Sequence, residues 1–274
     1  MNLNKKFVIF GLVFLMLSWV GNIYIYERHI LKEPIFIKHY YDVQSGMNNI
    51  QFYYIQNINS QEQVQNIEFP EIGQDYISFT DSDRNSDNRY YKLKCISVNF
   101  YDVDQNKVPD NIKNKVITKA KITFTNGKII NEDIGRIYLH GDNTNSPTLT
   151  MANATSSSDN TGSSTHRATK DTKVTGLYTK FPDIIGDVVL IKVNGKPLKD
   201  IKFPLELKAG DNLEVSYEFK FNKNDIRRNN TYNITLDILT EDADGTKGHS
   251  LCFMNYWLQS PGKYDIQSLR SDRR

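Results

Sequence analysis

Asp81, Asp83, Asn85 and Asp87 are the first residues in this 274-residue chain whose types and spacing suit chemistry. Calcium takes about six to eight oxygen ligands, and short carboxylates at alternate positions supply several of them. The run departs from a calcium loop at two places. Ser86 stands where the sharp turn calls for Gly, and Lys92 where the closing bidentate Glu belongs. Asp102, Asp104 and Asn106 repeat the alternation in what reads as a hairpin turn. Asx side chains bond their own backbone in turns, so solvated turns are the expectation for both runs, without a metal.

The five histidines, His29, His39, His140, His166 and His249, lack a second His or Cys at zinc spacing. Ser156–Ser158 and Ser163-Ser164 offer hydroxyls, but in a run expected to be flexible, where no neighbour would hold a base in place, and no G-x-S-x-G elbow occurs. No glycine-rich loop precedes a helix, so a phosphate cradle is unsupported. The sequence therefore assigns no catalytic, cofactor-binding or metal residue. A non-enzymatic protein without a cofactor is the expectation, against a surface hydrolase whose site is assembled only in three dimensions.

Cys95 and Cys252 would admit one disulfide in an oxidising compartment. They fall in different predicted domains, and Cys commonly serves as a small buried hydrophobe, so two separate thiols are expected. Three tyrosine pairs remain: Tyr40-Tyr41, Tyr53-Tyr54 and Tyr90-Tyr91. Neighbours on a strand point to opposite faces, so each pair is expected to turn one ring outward, where it would form a contact surface for a protein or sugar.

These residues have to be positioned by the rest of the chain, beginning with Phe7–Tyr26. That stretch carries no charge and follows Lys5-Lys6. Twenty helical residues span about 30 Å, the thickness of a bilayer core. No small-residue cleavage site follows it, and Trp19, Tyr24 and Tyr26 suit the far interface, so an uncleaved signal anchor is predicted. Lys5 and Lys6 on one flank oppose Arg28, Lys32 and Lys38 on the other, so the charge count leaves orientation open. An outside C-terminal part fits the β-rich composition. Met1–Lys6 would then be a cytoplasmic tail too short to form a signalling domain.

Beyond Pro34 the chain reads as β-structure, with 12% aromatic residues including sixteen Tyr. Short runs at Ile35–Ile37, Ile50–Ile55, Gln65–Phe69 and Tyr76–Phe79 are bounded by turn residues. Tyr91–Tyr101 changes phase at Cys95-Ile96, which predicts a bulge. Asn126-Gly127 predicts a type I′ hairpin. Period-2 alternation is clearest over Ile201–Leu207, Leu213–Phe221 and Tyr232–Ile238, with Asp244-Gly245 turning the chain into Leu251–Leu258. The predicted fold is mainly β: one transmembrane helix followed by antiparallel, immunoglobulin-like β-sandwich domains.

The predicted organisation is a tail (1–6), the membrane helix (7–26), a juxtamembrane segment (27–34), a sandwich (35–141), a flexible Ser/Thr/Asn-rich linker (142–172), a second sandwich (173–260) and a C-terminal tail (261–274). The linker has no aromatic residue, which argues against an ordered core there. The motifs Asn126-Gly127-Lys128 and Asn194-Gly195-Lys196, each followed by Gly-Asp-Asn, fit either a duplication or shared turn chemistry. A formal net charge of +2, with Lys5 and Lys6 supplying the excess, gives no footprint for nucleic acid. The functional expectation is a membrane-anchored, cell-surface β protein acting as a binding or scaffolding module. An accessory subunit of a membrane complex, held by another membrane or surface protein, is the nearest rival.

Overall fold

A computed structural model describes residues 5–43, 49–73, 77–84, 88–100, 111–140 and 148–256, together with Ile266 and Leu269. Helix α1 (Lys5–His29) is uncharged and mostly apolar from Phe7 to Tyr26 and buries none of its residues. It is long and apolar enough to cross a bilayer. The remainder is mainly β, in several antiparallel sheets. In chain order the first half gives β1 (Ile35–Phe36), β2 (His39–Val43), β3 (Asn49–Asn57), β4 (Val64–Glu68), β5 (Ile77–Asp83), β6 (Tyr91–Phe100), β7 (Val116–Phe124) and β8 (Ile129–Leu139). The second half gives β9 (Leu149–Ser156), β10 (Thr161–Ala168), β11 (Thr172–Tyr178), β12 (Val189–Val193) and β13 (Lys196–Pro197). It closes with β14 (Leu205–Leu207), β15 (Asn212–Phe219), β16 (Thr231–Asp242) and β17 (Lys247–Tyr256). One short helix, α2 (Pro182–Ile185), follows β11.

One sheet belongs to both halves. Its order is β14-β11-β16-β2-β8-β7-β4, with β17 on the other edge of β16. The short strand β2 is the zipper: it pairs in parallel with β8 on one side and with β16 on the other. Alternation then sorts its side chains between two cores. Tyr41 and Val43 point into the first core with Ile137 and Leu139, while Tyr40 packs with Tyr138 against the second. The outer sheet β1-β3-β6-β5 covers one face of the shared sheet, and β13-β12-β15-β10-β9 covers the opposite face at its other end. Two sandwiches thus lie in steps on opposite faces of a common sheet. Gly135 permits the zipper, because its φ of 100° brings β8 so close to the backbone of His39 that a Cβ has no room.

Several local expectations change. The expected linker is largely strand: β9 and β10 form a hairpin within it, and β10 pairs with β15; residues 142–147 lie outside the described residues. Its polarity misled because β10 turns only Ser164, His166 and Ala168 into the core, and hydrogen bonds rather than apolar bulk satisfy the first two. Strand β6 has no bulge at Cys95-Ile96, since its register with β3 and β5 is unbroken. Its phase change arises because it is buried on both faces: Tyr91 and Leu93 pack with Leu31, Ile35 and Ile37, and Ile96, Val98 and Phe100 with the main first core.

The β7–β8 hairpin forms, but only Gly127 has positive φ, so the turn is not type I′. At Asn194-Gly195 both residues have positive φ, between the paired residues Val193 and Lys196. The alternation over Ile201–Leu207 yields only the short β14. Leu269, in the expected C-terminal tail, packs on the core around Tyr91. Cys95 and Cys252 are both fully buried free thiols, one in each sandwich, and no disulfide joins them.

Candidate functional site

The stepped arrangement leaves a cleft where the first outer sheet stops and the shared sheet runs on. Side chains at paired positions on adjacent strands point to one face. Tyr41 pairs with Asn233, and Asn233 with Asn255, so these three form a row across β2, β16 and β17. Asn49, Gln51 and Tyr53 of β3 supply the wall of the step. The cleft encloses about 270 Å³. None of its lining residues carries a formal charge.

Its hydrogen bonds divide it into fixed and available groups. Tyr41 Oη donates to the Gln51 carbonyl at 2.9 Å and lies 3.1 Å from Thr231 Oγ1. Tyr53 Oη donates to Gln51 Oε1, which fixes the ring along the wall. Burial pushes the Tyr53 phenol up, so it stays neutral. The backbone N–H of Asn255 donates to Tyr217 Oη at 3.1 Å, whereas the side-chain amides of Asn49, Asn233 and Asn255 bond to no described residue. The arrangement is a rigid aromatic wall facing a row of amides that both donate and accept. Chemically, such a lining matches an uncharged, hydroxyl- or amide-rich group better than an ion. It holds no nucleophile beside a base.

Two other polar clusters are internal. Beyond Tyr41 and Asn233, β2 and β16 diverge, and the buried Asp42 fills the wedge. Thr235 Oγ1 donates to its carboxylate, and His140 Nε2 lies against the other oxygen. Lys180 Nζ sits 3.0 Å from His140 Nε2 and 5.1 Å from the centre of the Tyr138 ring. In the second core, His166 lies 2.8 Å from Ser164 Oγ and 2.9 Å from Ser250 Oγ, linking β10 to β17 across the two sheets. Burial pushes its pKa down to about 4. Both ring nitrogens face serines and all three side chains are buried, so the group acts as a neutral strut between sheets.

Of the six singled-out tyrosines, the cleft brings together Tyr41 and Tyr53. Tyr41, Tyr54 and Tyr91 are at most 8% exposed and belong to the cores, Tyr41 alone of the three also lining the cleft. Their partners are only half-buried: Tyr40 stacks on Tyr232, and Tyr90 on His29. Each pair thus has one buried ring and one partly exposed ring, and of the latter Tyr53 lines the cleft. Asp81 and Asp83 lie on β5, where they pair with Lys94 at 3.1 and 3.0 Å. Asn85, Asp87, Asp102, Asp104 and Asn106 lie outside the described residues. Among the described residues no group of three His, Cys, Asp or Glu is placed to hold a metal. The sequence reading missed Asn233 and Asn255, because an Asn on a strand resembles any wet-face residue until the register sets two of them side by side.

The sequence matches no protein-family model and no curated protein. Among solved structures it is similar to the Yersinia pseudotuberculosis adhesin InvE at 10% identity and a TM-score of 0.23, covering 78% of this chain and 56% of that one. The chain thus spans little more than half of the adhesin. It is also similar to the YadV chaperone, at 8% identity and a TM-score of 0.26, covering 81% of this chain and 99% of that one. The fibronectin(III)-like modules of Clostridium thermocellum CbhA give 11% identity, a TM-score of 0.22, and coverage of 83% and 95%.

Proposed function

We propose that this protein is a membrane-anchored, extracytoplasmic binding module that takes a neutral glycan in the cleft between its sandwiches. The observation that carries this is the row Tyr41–Asn233–Asn255 facing Tyr53: a preformed, uncharged site with unspent amide donors and acceptors. Sugar hydroxyls need paired donors and acceptors, and the apolar C–H faces of a pyranose lie well on a fixed aromatic ring. A rigid wall also lowers the ordering cost of binding. The anchor is α1, whose central length is uncharged, mostly apolar and unburied.

The test uses full-length protein in nanodiscs and a panel of neutral oligosaccharides. Binding to at least one is expected, weakened about tenfold or more by Asn233→Ala with Asn255→Ala. Absence of binding across the panel, or equal binding by the double variant, overturns the glycan reading. Labelling of the sandwiches in intact cells with an impermeant reagent is expected, and its absence with the protein present would place them inside.

A further inference from the structure

Helix α1 is not tethered loosely to the first sandwich. The His29 ring stacks on Tyr90 with centroids 4.1 Å apart, and Tyr91 Oη donates to the His29 carbonyl at 2.6 Å. Asn57 holds Leu31 from both sides, accepting from its N–H at 2.9 Å and donating to its carbonyl at 2.8 Å. Lys128, on the β7–β8 turn, reaches the Lys32 carbonyl at 3.2 Å and Glu33 at 2.9 Å. Asn126 of the same turn donates to Glu62 on the turn after β3. The base of the sandwich is therefore fixed against the end of the helix. Three isoleucines stand out on it: Ile30 and Ile58 are each 38% exposed and Ile129 is 54% exposed.

A cavity of about 490 Å³ opens at this base. Tyr26, His29, Asn59, Ser60, Arg89 and Tyr90 line it. Tyr26 is also the last residue of the uncharged stretch. At about 1.5 Å per residue, His29 lies roughly 5 Å further out, within the headgroup layer of a bilayer whose core ends near Tyr26. The Arg89 guanidinium is exposed and sits 5.8 Å from the centre of the Tyr90 ring. Ser60 Oγ accepts from the Glu62 N–H at 3.3 Å, which leaves its O–H to donate.

A helix C-terminus ordinarily repels an anion, but donors cap the carbonyls here. His29 Nδ1 bonds the Ile25 carbonyl, the Ile30 N–H those of Tyr26 and Glu27, Tyr91 that of His29, and Asn57 that of Leu31. Of the acids here, Glu33 pairs with Lys128, and Glu62, which also lines the cavity, accepts from the Asn126 amide on the turn between β7 and β8.

We infer that this cavity binds the phosphodiester of a membrane phospholipid in the leaflet where α1 ends. Arg89, Asn59 and Ser60 are the donors, and the exposed isoleucines seat the base in the interface. The inference rests on α1 being a membrane anchor. It makes the first sandwich a body held at one orientation on the bilayer rather than one swinging from a stalk.

Full-length protein reconstituted in phosphatidylglycerol nanodiscs tests both steps on one sample. Carbonate extraction reads insertion, and native mass spectrometry after detergent release reads retained lipid. Insertion with one tightly retained phospholipid is expected. Arg89→Gln should weaken retention about tenfold while leaving insertion unchanged, and Lys196→Gln, far from the base, should change neither. Insertion with equal retention by wild type and Arg89→Gln overturns the lipid site alone. Extraction by carbonate overturns the anchor and the site with it. Inorganic phosphate that displaces the lipid at comparable concentration would assign the cavity to a soluble anion and overturn the lipid reading.

Discussion

The two sandwiches bury their polar groups in opposite ways. The first holds charge. Lys94, with its side chain 3% exposed, pairs with Asp81, whose oxygen also accepts from Tyr54 Oη and the Val64 N–H, each at 2.9 Å. The second centres on neutral groups, with His166 between Ser164 and Ser250, while its buried carboxylate Asp242 pairs with the exposed Lys170. A buried ion pair returns little net stability when intact, yet removing one partner strands the other charge. A neutral network fails more gently, because each lost bond leaves one unsatisfied dipole. The first sandwich is thus the brittle half with respect to mutation, and the contrast can be tested in order of expected size.

Lys94→Met should have the largest effect, costing about 3–5 kcal/mol in urea unfolding, because the buried Asp81 loses its cationic partner. A loss near that expected for one neutral hydrogen bond would show that water reaches the pair and would remove the contrast. Gly135→Ala should cost about 3 kcal/mol. Its Cβ meets the His39 backbone, so β2 can no longer pair with β8. Because β2 serves both cores, tyrosine fluorescence from either sandwich should report the same lowered midpoint. Two separated transitions would show instead that the sandwiches unfold independently.

Acid should weaken both halves through their histidines. Burial pushes His39 to about 3 and His166 to about 4. The Tyr53 N–H donates to His39 Nε2, so the ring proton sits on Nδ1, which faces the Ile134 carbonyl without a well-formed bond. A base with a lowered folded pKa binds protons preferentially when unfolded. Its stability is therefore full above the unfolded value near 6.5 and falls as the pH drops below that value. Each histidine should contribute about 2 kcal/mol of loss between pH 7 and pH 5. His166→Gln should flatten the profile by one such share, and an unchanged slope would show that His166 is hydrated.

Asp237 should give the smallest effect and the opposite sign. Burial, with Asp42 nearby, raises its pKa and so opposes ionisation, although His249 partly offsets this. Its contribution is present at low pH and is lost as the pH rises through the folded pKa. Asp237→Asn should raise the melting temperature slightly at pH 7 and not at pH 3. A fall at pH 7 would make the His249 contact dominant.

Much of this architecture is legible in the residues themselves. The uncharged Phe7–Tyr26 dictates a long apolar helix whatever follows, and the alternation over Leu213–Phe219 and Tyr232–Ile238 dictates strands with one buried face. These are local signals, since each residue's neighbours in sequence carry them. The cleft was illegible because Tyr41, Asn233 and Asn255 become a row only through two strand registers spanning most of the chain. The hairpin β9–β10 was illegible for a related reason. Its inward residues are Ser and His, and they count as core only once Ser250 arrives from another strand to complete their bonds.

The sequence by itself determined that this protein has one apolar helix and many half-buried strands, because periodicity and charge are properties of short stretches. Tertiary structure alone decided that the two halves share a sheet through five residues of β2 and that uncharged amides meet at the resulting step. Pairing between distant strands depends on which registers satisfy every backbone hydrogen bond and both cores together, and no local stretch of sequence contains that condition.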